Sequence, residues 1–339
     1  MNQSDRKFVT ARVGRMAQLA SIRRMTIDDG SGRGMRVLEV DTGNGLSYSI
    51  YPDRGMDIGQ ARYKGIPLSW LACNEPASPN AYDPQGLSWL RSWGGGLLTG
   101  CGLLNVGGPN TCQNEPHGLH GRLSHLPASE VNTFADWTPD SNYTLRASGH
   151  LRHARVFGEN LLLSRTITST LSDASITVCD TVENQGFTPS PLMLLYHLNL
   201  GWPLIDSDAF LEMPEHTVTP QNDHAAAGLD TWQYLAAPTP DFREQVYYHD
   251  LPPEAQGLAT VRLVNPLLRL AFSVTYRTAE LPHLIQWKMM GQGEYVLGLE
   301  PANCYPEGQS AIEKKGLLKT IAPGERIETY LKLAVAPLG

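Results

Sequence analysis

An all-β fold, a sandwich or barrel, is what this chain predicts, and three observations predict it. Many segments alternate apolar and polar residues with period two, turn signals separate these segments, and a single stretch has helical spacing. The helical stretch comes first: Val13, Met16, Leu19 and Ala20 recur at three and four, which predicts one short helix over Arg12 to Met25. Strands follow at Leu46 to Tyr51, with Leu46, Tyr48 and Ile50 on one face, and at Ala174 to Val182, with Ile176, Val178 and Val182 together. Pro191 to Pro203 reads as an apolar strand that turns polar at alternate positions, and Arg269 to Tyr276, Tyr295 to Leu299 and Arg326 to Val335 complete the pattern. Asp29-Gly30, Thr42 to Gly45, Glu183 to Gly186 and Ala322 to Glu325 are the turn signals between them. Asn74 to Ser88, rich in Pro, Asn, Asp and Ala, is expected to be a long loop, and Pro214 to Pro253 an irregular insertion of the kind that often rims a binding site.

Composition narrows the function. With 339 residues, 41% apolar, the chain can bury a large core as one β domain or two smaller ones. A formal charge of −7 without any block of Lys or Arg argues against nucleic acid or an anionic membrane surface as partner, leaving a small neutral or locally charged ligand. No apolar run approaches the roughly 20 residues that span a bilayer, and Met1 to Lys7 does not lead into the core of a signal peptide, so a cytoplasmic location is the expectation. Cysteines at 73, 101, 112, 179 and 304 form no Cys-x-x-Cys pair, which suits a reducing compartment and buried thiols.

Three compact polar clusters carry the chemistry. In Glu115-Pro-His-Gly-Leu-His-Gly-Arg122, glycines allow a sharp turn and close approach to a ligand, while His120 and Arg122 project as polar groups. In Tyr196-His-Leu-Asn199, His197 and Asn199 share one strand face, and a histidine in an apolar strand costs desolvation unless paired. In Leu299-Glu-Pro-Ala-Asn303, Glu300 sits where proline should stop the ladder; walled by apolar groups such as Trp287, its carboxyl would titrate near working pH. Histidine and a tuned glutamate are the inventory of a proton-transfer site. At each position the alternative is structural: a satisfied core histidine, or a glutamate beside a turn. His117 and His120, three apart, could ligate a metal, but zinc wants three or four ligands and nothing supplies the remainder, so no metal is assigned. Two arginine clusters, Asp53, Arg54 and Asp57 around Gly55, and Arg91 between Trp89 and Trp93, offer the forks and aromatic faces that a sugar ring asks for, with structural ion pairs as the equal alternative. The chain has no Gly-x-Ser-x-Gly elbow and no His-Glu-x-x-His, and its triple glycine Gly94 to Gly96 lacks the lysine of a phosphate loop.

Pro52-Asp-Arg-Gly-Met-Asp57, Gly95 to Gly102, Gly118-Leu-His-Gly-Arg122, Tyr196-His-Leu-Asn199 and Gly298 to Asn303 together resemble the aldose 1-epimerase (galactose mutarotase-like) superfamily, in particular a branch known mainly as a domain of unknown function. The resemblance runs from about residue 30 to 335 and implies a single domain over 1–339 with a short N-terminal extension, built as a large antiparallel β-sandwich, the supersandwich, with a sugar site in a cleft on one face. It implies His197 as general acid, Glu300 as general base and His120 as a ring-binding group. Arg122, Arg54, Asp53, Arg91, Asn199, Trp287 and Asn303 are the further substrate-binding candidates. No cofactor is expected, since only protons move. The expected partner is a small-molecule sugar, with homo-oligomer formation left open. The chain departs from the family in having Tyr-His-Leu-Asn at the histidine motif and Glu-Pro at the glutamate motif. Epimerisation or isomerisation beyond the anomeric carbon, and carbohydrate binding without catalysis, are the alternative readings.

Overall fold

The computed structural model describes residues 6–339, and its framework is two antiparallel sheets packed face to face. The larger has eleven strands, ordered Ser21–Thr26, Arg36–Asp41, Leu46–Tyr51, Asp57–Tyr63, Leu98–Leu103, Met193–Gly201, Glu294–Ala302, His283–Gly291, Gln245–Asp250 and Thr217–Pro220, with Ile66–Pro67 paired to Asp57–Tyr63. The smaller has eight, from Phe210–Glu212 through Leu258–Asn265, Leu270–Arg277, Arg326–Pro337, Asp173–Asn184, Asn160–Thr170 and Tyr143–Ala154 to Ser129–Trp137. This is the all-β sandwich that the alternating pattern predicts.

Period-two alternation decides what each strand buries where. From the central strand Met193–Gly201, the side chains of Leu194, Tyr196, Leu198 and Leu200 enter the core between the sheets, where they meet Leu163, Ile167, Val178, Val182 and Leu331. The other face of that strand carries Met193, Leu195 and His197. Here Met193 and Leu195 pack into a second, smaller core with Trp89, Trp93, Cys101, Ile285 and Ala302. The central strand is therefore buried on both faces, which is why it reads as a nearly continuous apolar run.

A buried polar cluster ties the two sheets together behind that strand. Arg165, on the smaller sheet, holds Asp180 through Nε to Oδ1 at 2.9 Å and Nη2 to Oδ2 at 2.7 Å, and donates from Nη1 to the Gly55 carbonyl at 2.9 Å. The Tyr196 hydroxyl reaches across from the larger sheet to donate to Asp180 Oδ2 at 2.6 Å. Each buried charge is paired and hydrogen-bonded, as its desolvation requires.

Three local expectations are corrected. The helix expected over Arg12 to Met25 is only a single 3₁₀ turn, Met16–Gln18; Ser21–Thr26 is instead an edge strand paired with Arg36–Asp41. Tertiary pairing outweighs the weak local periodicity there. The proline after Glu300 does not end the strand, which continues to Ala302: Pro301 pairs with Leu284 on one side, while the ladder to Met193–Gly201 runs from Leu198↔Leu299 directly to Leu195↔Ala302. Its missing N–H thus falls where the ladder is open. The segment 214–253 is not wholly irregular, because Thr217–Pro220 and Gln245–Asp250 extend the larger sheet and Asp223–Ala226 is a short helix. The expected loop 74–88 holds one 3₁₀ turn at Pro79–Ala81. Cys101, Cys112 and Cys304 are buried thiols, whereas Cys73 and Cys179 are exposed. Among the described residues no helix is long and apolar enough to cross a membrane.

Candidate active site

The site lies on the outer face of the larger sheet, where three neighbouring strands place their side chains by register. The pairs Leu195↔Ala302 and Leu198↔Leu299 belong to one register, which sets His197 directly opposite Glu300. On the far side Glu300 pairs with Ile285, and Gly298 with Trp287. Glu300, Ile285, Trp287 and His197 therefore emerge on one face from segments about a hundred residues apart in sequence. His197 Nε2 stands 3.2 Å from Glu300 Oε1, and both side chains are almost fully buried.

A cleft of about 410 Å³ opens over this pair, lined by Trp89, Trp93 and Trp287 with Leu87, Leu90, Leu119, Val246, Ile285 and Pro306. Its polar groups are His120, His197, Gln221, Glu244 and Glu300, and among the described residues no lysine or arginine lines it. The Trp93 and Trp287 rings lie edge-on to the His197 imidazole at 5.3 and 5.4 Å between centroids. Trp287 is held in turn by its indole N–H, which donates to Glu244 Oε2 at 2.7 Å. Gln221, Glu244 and Val246 belong to the 214–253 segment, which thus rims the cleft. A half-buried chain fastens that segment down, running from Pro214 O through His216 and His249 to Gln286 and the Trp232 carbonyl, with links of 2.6, 2.8, 3.0 and 2.8 Å.

His120 reaches the cleft from the segment Glu115 to Arg122. Its own φ is +55° and that of Gly121 is +69°, so the chain doubles back here. A side chain at 121 would meet the carbonyl oxygens of Asn105 and Gly102 at 2.6 Å, which is why glycine stands there. The turn is stitched by Gly102 N to His120 O and Arg122 N to Gly102 O, both at 2.9 Å. The His120 ring comes to 5.7 Å from His197 and 5.0 Å from Trp89, centroid to centroid.

Enclosure sets the charge state. Burial, reinforced by the Glu244 carboxylate, pushes the Glu300 carboxyl up to about 8. Burial and the neighbouring His120 hold His197 down at about 3, with Asn199 acting in the opposite sense, and burial holds His120 at about 4. At neutral pH the His197–Glu300 pair accordingly carries one proton between its two members, and can give one and take one.

The other residues singled out from sequence lie elsewhere. Asp53 accepts the backbone N–H of Arg36 at 2.7 Å and its Nε at 2.9 Å. Arg54 is buried and donates from Nη1 to the carbonyls of Ala77 at 2.9 Å and Ser92 at 2.6 Å, anchoring the long loop. Arg91 is exposed and lies outside the cleft lining, while Trp89 and Trp93, the tryptophans that flank it, point in. Asn303 bridges backbone, accepting from Leu194 N at 2.8 Å and donating to Leu192 O at 2.9 Å. Asn199 donates to Gly96 O at 2.9 Å and His197 O at 3.1 Å; its Oδ1 and the Nδ1 of His197 are buried without partners. Arg122 and His117 line a separate cavity on the opposite side of the Glu115 to Arg122 segment. Sequence reasoning missed Gln221 and Glu244 as cleft residues, since nothing in their local pattern marks them. Trp89 and Trp93 had a signal in their close spacing. Among the described residues no cluster of three or more His, Cys, Asp or Glu is arranged to hold a metal.

Two antiparallel sheets packed in this way match the galactose mutarotase-like sandwich fold. The chain belongs to the family described as Domain of unknown function (DUF4432), whose model matches residues 32–335. A structure from Klebsiella pneumoniae described as a "putative aldose 1-epimerase" is similar with a TM-score of 0.87 at 25% identity, over 94% of this chain and 86% of that one. A galactose mutarotase-like protein from Clostridium acetobutylicum gives 0.67 at 13% identity over 95% of this chain and 100% of that one. Galactose 1-epimerase from Lactobacillus acidophilus gives 0.62 at 11% identity over 94% of this chain and 100% of that one, a likeness of fold. No curated protein matches the sequence.

Proposed function

We propose that this protein is an aldose 1-epimerase-like isomerase that interconverts the anomers of an uncharged sugar. The observation that carries the reading is the His197–Glu300 pair, 3.2 Å apart at the floor of an aromatic cleft. The anomeric hydroxyl and the ring oxygen share one carbon, so a base for the first and an acid for the second must stand side by side. Moving the pair's proton to His197 leaves Glu300 ionised. Glu300 then takes the anomeric O–H proton, the C1–O5 bond breaks as the carbonyl forms, and His197 protonates O5. Rotation about C1–C2 followed by the reverse transfers closes the other anomer, and the pair ends with the one proton it began with.

His120 and Gln221 supply polar contacts to hydroxyls, and the three tryptophans offer faces for the apolar side of the ring. The carboxyls of Glu244 and Glu300, with no cation in the lining among the described residues, favour a neutral ring over a phosphorylated or acidic one.

NMR exchange between α and β anomers, run on neutral, deoxy, phosphorylated and acidic sugars with wild type and Glu300→Gln, tests this directly. Acceleration with neutral sugars that disappears in the variant is the expected result. No acceleration with any sugar, or solvent deuterium entering a carbon position, would overturn it.

A further inference from the structure

The segment Glu115 to Arg122 presents His120 to the cleft on one side and His117 and Arg122 to a different cavity on the other. That second cavity measures about 200 Å³ and adjoins one of about 310 Å³, the two sharing Leu104, Glu115, His117, Arg155 and Glu159 in their walls. A water molecule takes roughly 30 Å³ of liquid, so there is room for a small solute with part of its hydration.

The charges of this cavity do not balance. Three guanidinium groups, Arg122, Arg152 and Arg155, face two carboxylates, Glu115 and Glu159. Arg155 engages both carboxylates, Glu115 at 2.6 Å and Glu159 at 3.3 Å. Arg152 is left with the neutral oxygens of Asn160 at 2.7 Å and Gln185 at 3.0 Å. The Arg122 guanidinium makes no hydrogen bond or ion pair with any described residue, since only its backbone is bonded, to Gly102 and His125. Between these groups sits His153, nearly fully buried, with its Nδ1 unpartnered and its Nε2 at 3.7 Å from Glu159, beyond hydrogen-bond range. Burial, followed by the positive charges of Arg122 and His117, holds His153 down at about 4. Two guanidinium forks without a carboxylate, beside imidazoles that burial holds neutral, suit an anion.

We propose that this cavity binds the oxyanion group of a small metabolite, a phosphate ester or a carboxylate, with Arg122 and Arg152 as the forks that grip it. The site is separate from the sugar cleft, and the proposal does not depend on the reaction assigned there. Its charge balance differs from the cleft's: guanidinium groups outnumber carboxylates here, while the other has carboxyls and no cation among the described residues.

The test is titration of the whole protein at low ionic strength with inorganic phosphate and, separately, malonate. Binding is followed by calorimetry and by the imidazole C2–H signals of His117 and His153, assigned through His117→Gln and His153→Gln. Expected are saturable binding and an upward shift in the titration of both imidazoles, because a bound anion offsets the arginines. Arg122→Gln and Arg152→Gln should each weaken binding by about tenfold or more, and Glu115→Gln, which removes one of the two carboxylates that engage Arg155, should tighten it. Preference between phosphate and malonate tells which source of the oxyanion fits. Sodium chloride matching the effect of both anions, or unchanged affinity in Arg122→Gln and Arg152→Gln, would overturn the proposal.

Discussion

Replacing Glu300 by glutamine should abolish a pH dependence that this one carboxyl imposes on stability. Its pKa is raised from 4.5 to about 8 in the fold, chiefly by burial. A raised carboxyl contributes fully below its unfolded value, where both states hold the proton. As pH climbs past 4.5 the unfolded chain gives up that proton while the native state keeps it, and stability falls until about 8, above which the loss is constant. At about 1.36 kcal/mol per pH unit, the displacement comes to about 5 kcal/mol, carried by a side chain that is 3% exposed. Glutamine keeps the shape and has no proton to lose. Denaturant midpoints followed by tryptophan fluorescence should therefore nearly coincide for the two proteins at pH 4.5 and diverge up to pH 8, with Glu300→Gln the more stable. Parallel stability curves across that range would refute the burial argument and the shared-proton state drawn from it.

Four other outcomes follow from the same geometry. His197→Asn should remain folded by circular dichroism and lose about a hundredfold to ten-thousandfold in anomer interconversion; full activity would remove His197 from the chemistry. In wild type, kcat/KM should be level from about pH 4, where His120 gains a proton, to about pH 8, where the pair loses its own, and fall above that. A flat profile to pH 10 would contradict the shared proton. Trp287→Ala should raise KM more than it lowers kcat, since the ring walls the cleft without touching a transferred proton; an unchanged KM would remove it from the binding surface. Arg165→Leu leaves Asp180 buried without its guanidinium and should cost about 3–5 kcal/mol in urea denaturation, whereas a loss under about 1 kcal/mol would show that the cluster is not what pins the sheets.

Several of the strands, and the faces they bury, are legible in the sequence. Alternation along Leu46 to Tyr51, Ala174 to Val182 and Arg326 to Val335 is a local property of side chains on a pleated backbone, so it is legible residue by residue. It also marked His197, as a polar side chain costly to bury in an apolar strand, and Glu300, beside a proline. Which of the marked residues meet is set by the fold. Register between strands about a hundred residues apart sets His197 against Glu300, and no local pattern encodes that alignment. The same non-local packing turned Ser21–Thr26 into an edge strand in place of a helix and carried the strand through Pro301. It sent Arg54, Asp53 and Asn303 to hold backbone and loops, and put Arg122 behind the segment that presents His120. An arginine looks the same in sequence whether it grips a ligand or a carbonyl; the difference lies in which chain segment the fold brings beside it.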